Sequence, residues 1–301
     1  MKTSRKHTTK AAPLFSQTRK LMRRSGLRAR KGLAQHFLVD DEVLKLVVST
    51  AQLAPVDIVI EVGPGLGVLT AELARQAGRV LAIELDNKLA AILQQTLASF
   101  DNVAIINQDV LEIDPATLLR EQEIKIPSPA DTSYKVVANL PYYITSPVLR
   151  HFLEASLKPQ TMVVMVQKEV AESIAAAPGQ MSLLSISVQF YGRPTVVSHV
   201  PADSFYPPPE VDSAILRIDV YSQPPIPITN VKGFFDLVRA GFTASRKQIA
   251  NSLAQGLQLP KSEILPFLEK SDIAPQRRAE TLTLEEWAHL WQVFAWKGES
   301  G

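Results

Sequence analysis

Asp57-Ile58-Val59-Ile60-Glu61-Val62-Gly63-Pro64-Gly65-Leu66-Gly67-Val68-Leu69-Thr70 is a β-branched apolar run that stops at a glycine-rich turn. Beyond the turn, the apolar spacing of Leu69–Gln76 becomes helical and ends at Gly78. Strand, tight turn and helix in that order form the first unit of a parallel sheet.

The same rhythm continues downstream. Arg79–Glu84 reads as a second strand, Lys88–Ala98 as a second helix and Val103–Asn107 as a third strand. Tyr134–Ala138 and Met162–Val166 extend the series around a helix from Pro147 to Glu154. Such alternation implies an α/β fold with a doubly wound sheet. After Met181 the pattern changes, and Ser182–Tyr191 fits a helix or a buried strand equally. Thr195–His199 and Ser213–Val220 read as strands separated by Phe205-Tyr206-Pro207-Pro208-Pro209, and an antiparallel pair suits the edge of such a sheet. Tyr221-Ser222-Gln223-Pro224-Pro225-Ile226-Pro227 is a stiff linker by composition. Helical periodicity then recurs at Val231–Phe242, Lys247–Gln255, Lys261–Glu269 and Leu284–Phe294, which predicts a small all-helical domain. The expected organisation is a basic arm over 1–30, the α/β domain over 31–222 and the helical domain over 228–301.

Composition narrows the chemistry. The 301-residue chain is 46% apolar, ample for a full core. It has no cysteine, which excludes disulfides and thiolate chemistry, and its five histidines lack ligand spacing, so no metal is expected. No apolar run reaches the roughly 18 residues of a membrane span, and a reducing cytoplasm fits. Net charge is only +2, yet eleven of the 32 basic residues and none of the 30 acids lie in the first 39 positions. A basic arm on an acidic body suits capture of a polyanion; a solubilising tail and an organellar transit peptide are the competing readings. Residues 1–15 read as unstructured, and Gln17 to Ser25 as a short basic helix stopped by Gly26.

The glycine loop sets up a ligand cleft. Gly63, Gly65 and Gly67 let the backbone approach a ligand closely, in a G-x-G-x-G spacing rather than the dinucleotide one. Glu61 ends the strand before the loop, Glu84 ends the next one, and Asp109 follows the third. A carboxylate at Glu84 suits ribose hydroxyls and one at Asp109 suits an adenine amino group. Acids without compensating cations disfavour a pyrophosphate and favour S-adenosylmethionine.

Asn139-Leu140-Pro141-Tyr142 follows the apolar strand Tyr134–Ala138 and supplies the other half of a site. The exocyclic nitrogen of adenine is a poor nucleophile because its lone pair is delocalised into the ring. Hydrogen-bond acceptors at that NH₂, from the Asn139 side chain and the Leu140 carbonyl, favour a pyramidal nitrogen. Pro141 offers no backbone donor, and Tyr142 offers a ring for stacking. Phe205 is either a second ring over the base or a turn residue beneath the proline run. Tyr143 is expected to pack against the sheet or a neighbouring loop.

These residues resemble the ribosomal RNA adenine dimethyltransferases of the KsgA type, relatives of the erythromycin-resistance methyltransferases. The resemblance spans about residues 16–296. It rests on Gln35-His36-Phe37-Leu38, Glu61 to Thr70, Asn139-Leu140-Pro141-Tyr142-Tyr143-Ile144, Phe205 through Ala214, Arg246-Lys247 with Asn251-Ser252-Leu253, and Arg278-Ala279-Glu280-Thr281-Leu282. It implies a Rossmann-like class I methyltransferase sheet and donor contacts at His36, Leu38, Gly63, Glu84, Asp109 and Asn139, with Gly65 in the same loop. His36 stands where the family usually has Asn. The resemblance further implies dimethylation of two neighbouring adenosines near the 3′ end of small-subunit rRNA, on an assembling subunit, by a monomer. Candidate phosphate contacts are Arg23, Arg24, Arg28 and Lys31 in the arm and Arg246, Lys247, Arg277 and Arg278 in the helical domain. A large-subunit adenine methyltransferase and a non-catalytic nucleic-acid-binding factor on the same scaffold are the alternatives.

Overall fold

The computed structural model describes residues 13–24, 36–122 and 134–295. In chain order these hold α1 (Leu14–Arg24), β1 (Phe37–Leu38), α2 (Asp41–Thr50), β2 (Ile58–Val62), α3 (Val68–Ala74), β3 (Arg79–Ile83), α4 (Asn87–Thr96), β4 (Val103–Ile106) and α5 (Pro115–Glu121). There follow β5 (Tyr134–Asn139), α6 (Thr145–Glu154), β6 (Thr161–Gln167), α7 (Lys168–Ile174), α8 (Leu183–Gln189), β7 (Gly192–Val200), β8 (Phe205–Tyr206) and β9 (Ser213–Val220). Four helices end the chain: α9 (Val231–Phe242), α10 (Ile249–Leu257), α11 (Lys261–Lys270) and α12 (Leu284–Ala295).

Seven strands form one sheet in the order β4-β3-β2-β5-β6-β9-β7. The first five are parallel; β9 runs antiparallel to β6 and β7 antiparallel to β9, so the expected reversed pair lies at that edge. Central strands are apolar on both faces because helices cover both, as at Val59, Ile60, Val136 and Val137, all fully buried. Lys135 interrupts that run in β5. Its Nζ donates to Asp57 and to the Gln52 carbonyl, each at 2.8 Å, which compensates a buried cation. Chain order reverses between β2 and β5, leaving a crevice at their carboxyl ends where Gly63 and Asn139 sit.

Three expectations change. Ser182–Tyr191, left open between helix and strand, contains helix α8, started by a capping box between Ser182 and Ser185. The basic helix begins at Leu14 rather than Gln17, so residues 14 and 15 are not loose. Leu14, Thr18 and Met22 recur every four positions on a buried face, and Met22 packs with Leu66 and Leu89 of the body. The helical segment after the linker also shares its core with the sheet. Phe190 and Tyr191 interleave with Phe234 and Phe235 of α9 at ring separations of 4.9 to 6.1 Å. Within that segment the Trp287 ring lies directly against Gly241, where any Cβ would overlap it.

Candidate active site

A cleft of about 580 Å³ opens at the carboxyl ends of the parallel strands. Its wall includes the glycine loop, Glu84, Asp109, the Asn139–Ile144 turn, His36–Leu38 and Phe205. Gly63, Gly65 and Gly67 all have positive φ, which only glycine adopts without strain. At Gly65 a Cβ would come within 3.2 Å of the Phe37 ring, so the loop also has to be bare for β1 to approach.

Glu84 is buried, and burial raises its pKa from the ordinary carboxylate value, partly offset by backbone donors. Its two oxygens accept from Asp86 N at 2.9 Å and Gly65 N at 3.3 Å, which fixes the carboxylate across the cleft from the loop. Asn107, read in the sequence only as a strand end, clamps the same turn by donating to the Glu84 carbonyl at 2.8 Å. Asp109 Oδ1 accepts from Leu111 N at 3.0 Å and caps a short turn. Leu85 and Leu111 line the cleft with substantial exposure, apolar lips suited to a flat ring. Glu61 lies beneath them, 1% exposed, with Oε2 lacking a hydrogen-bond partner. Burial pushes its pKa up to about 8, opposed by the Thr70 hydroxyl and reinforced by the Glu84 charge.

The opposite wall of the cleft is assembled from four distant segments. Strand β1 pairs antiparallel with β8, setting Leu38 opposite Phe205 and Phe37 opposite Tyr206. Asn139 Nδ2 donates to the His36 carbonyl at 3.1 Å, which turns its Oδ1 into the open acceptor. The His36 ring donates from Nδ1 to the Pro207 carbonyl at 2.7 Å and stacks on Tyr142 at 6.0 Å. Tyr142 OH and Ser213 Oγ share a hydrogen bond of 2.8 Å, and burial raises the phenol's pKa. Leu140 points its side chain into the core and its amide donates to Met165 O at 3.2 Å. Phe205 is 3% exposed, packs among core residues and lines the cleft. Tyr143, expected to be packed away, is instead 57% exposed at the cleft's lip, because the turn of Tyr142–Ile144 aims consecutive side chains apart.

The candidate RNA contacts divide. On α1, Arg23 is exposed; Arg24 closes the helix, and Arg28 and Lys31 lie outside the described residues. Arg246 and Lys247 are exposed, and Arg278 faces Glu280 at 3.7 Å. Arg277 instead forms a forked pair with Glu286 and donates to Thr281, so its donors are engaged within the fold. Among the described residues there is no cluster of metal-ligating side chains and no helix long and apolar enough to cross a membrane.

Residues 26–295 match the family model described as ribosomal RNA adenine dimethylase. The chain belongs to that family. It is 50% identical over 281 residues to ribosomal RNA small subunit methyltransferase A of Dehalococcoides mccartyi, covering 93% of this chain and 94% of that one. The namesake from Moorella thermoacetica is 43% identical, covering 91% and 95%. Among solved structures, the 23S rRNA methyltransferase ErmE aligns with a TM-score of 0.66 at 27% identity, over 86% of this chain and 99% of that one. A dimethyladenosine transferase from Plasmodium falciparum shares the fold, with a TM-score of 0.72 at 24% identity over 87% and 98%.

Proposed function

We propose that the protein transfers methyl groups from S-adenosylmethionine to N6 of two adjacent adenosines near the 3′ end of small-subunit (16S) rRNA. The product is N6,N6-dimethyladenosine, formed by a monomer on an assembling small subunit. One observation carries this reading: the Asn139–Tyr142 turn and the Glu84–Asp109 wall face a single continuous cleft. The relatives named as small-subunit methyltransferases support the choice of rRNA.

The residues present fit the donor. Gly63 and Gly65 supply a bare backbone, Glu84 an acceptor for ribose hydroxyls and Asp109 an acceptor for an amino group. His36 and Leu38 complete the wall. When bound, S-adenosylmethionine supplies a methyl group already activated by a sulfonium. The protein's part is therefore alignment and charge complementarity. Asn139 Oδ1 and the Leu140 carbonyl accept from the target NH₂, while Tyr142 holds the base by stacking. No side chain is assigned as a general base. An adenine reaches such a notch when unpaired or flipped from its helix.

The deciding experiment is tritiated methyl transfer onto unmethylated 30S particles, followed by nucleoside analysis. Label in N6,N6-dimethyladenosine of 16S rRNA is the expected result. Label confined to large-subunit rRNA would move the chain to the macrolide-resistance activity. No transfer to either, with RNA still bound, would leave a binding factor.

A further inference from the structure

Glu61, the penultimate residue of β2, lines the cleft, buried, with one carboxyl oxygen and the nearby Thr70 hydroxyl both short of a hydrogen bond. A buried polar group without a partner requires an explanation, and an ionised one costs several kcal/mol unless a cation accompanies it. Its register neighbours on the flanking strands, Ala82 and Val137, are apolar. From β3 comes Glu84, a like charge; from α3 comes the Thr70 hydroxyl; β5 adds the uncharged Asn139 amide. Asp86, exposed Lys88, Asp109, the His36 imidazole and the phenols of Tyr142 and Tyr143 carry the other titratable groups of the cleft wall. Among the described residues no Lys, Arg or His forms an ion pair with Glu61.

We propose that Glu61 is a neutral acid in the empty cleft and releases its proton to solvent as the cationic methyl donor enters, so that donor uptake and proton release are one event. This rests on the cleft being the donor site. The carboxyl O–H bond breaks, the proton passes to the buffer, and the donor's positive charge compensates the carboxylate left behind. The sign follows from the raised pKa of about 8 in the free protein. Below that pH the acid must ionise on binding, so donor affinity climbs with pH, by up to about tenfold per unit. Above it the acid is already ionised, and affinity levels off. A nucleoside without a positive charge leaves the proton in place.

Calorimetry of the full chain at pH 7, in buffers of differing ionisation enthalpy, counts the protons. S-adenosylmethionine is expected to release about one proton per site, and uncharged methylthioadenosine none. The Glu61→Gln variant, isosteric and without an ionisable proton, is expected to bind the donor with no buffer dependence. Wild-type donor heats independent of buffer would overturn the proposal, as would an equal proton count for the uncharged nucleoside. Release persisting in Glu61→Gln would also overturn it. Should that variant not fold, the two wild-type ligands decide alone. Absence of any donor binding would overturn the donor-site reading beneath it.

Discussion

Asn139 offers an acceptor because its amide nitrogen is already spent on the His36 carbonyl. Asn139→Ala removes that acceptor and is expected to lower methyl transfer by about 10²–10³-fold, the usual cost of one preorganised polar group. The melting temperature should stay near wild type; transfer at wild-type rate would take Asn139 out of the mechanism. Tyr142 combines a stacking ring with a hydroxyl bound to Ser213. Tyr142→Ala should cost about 5- to 150-fold in kcat/KM for RNA, the 1–3 kcal/mol of a base–aromatic stack. Tyr142→Phe keeps the ring and should lose far less, while donor affinity measured by calorimetry stays put in both. Equal losses in Phe and Ala would assign the effect to the hydroxyl. That Asn139, Leu140, Tyr142 and Glu84 share one cleft was legible in the sequence because each lies at or just past the end of a strand. Ser213 and Asn107 were not, since their partners lie 71 and 23 residues away and only the folded sheet brings them close.

Single elements explain why short motifs are spread along the chain. The two-residue ladder between β1 and β8 joins the His36 segment to the Phe205 segment, and Ser204 Oγ then donates to Asp40 at 2.9 Å at the start of α2. The alternation of strands with helices and the antiparallel edge followed from periodicity and the proline-rich loop. The role of Arg277 did not, because its residue type fits a phosphate contact as well as an internal clamp. Its fork on Glu286 ties the segment before α12 to that helix, and the pair holds its carboxylate below and its guanidinium above their ordinary pKa values, chiefly through their mutual hydrogen bond. Arg277→Ala should therefore destabilise the fold by about 1.5–3 kcal/mol, the range for hydrogen bonds to charged groups. It should leave the salt dependence of RNA affinity unaltered. Arg246→Ala is expected to do the reverse: an unchanged melting temperature and a salt slope shallower by about 0.7–0.9. A shallower slope in Arg277→Ala, with stability intact, would return Arg277 to the RNA surface.

Across the whole molecule, composition divided the chain more sharply than packing does. A proline-rich linker marks a boundary in sequence, yet the aromatic cluster of Phe190, Tyr191, Phe234 and Phe235 carries one core across it. That contact joins side chains far apart in sequence, and no local pattern encodes it. The charge asymmetry, by contrast, was plain from counting, and the fold gives it a place. Met22 anchors α1 against Leu66 and Leu89, both in the cleft wall, so this helix of the basic arm packs beside the site. Arg19 sits over the Phe15 and Tyr206 rings at 5.5 and 5.9 Å and has a packing role. Lys20 and Arg23 are exposed on the same helix and free to meet a polyanion without disturbing its docked face. Deleting the arm would strip Leu66 and Leu89 as well as remove charge, so replacement separates the two effects. Lys20→Gln with Arg23→Gln should keep the melting temperature and donor affinity. The plot of log K against log salt for RNA should become shallower by about 1.4–1.8, as expected when two phosphate contacts are lost. An unchanged slope would make the helix a cover for the cleft and no part of the RNA grip.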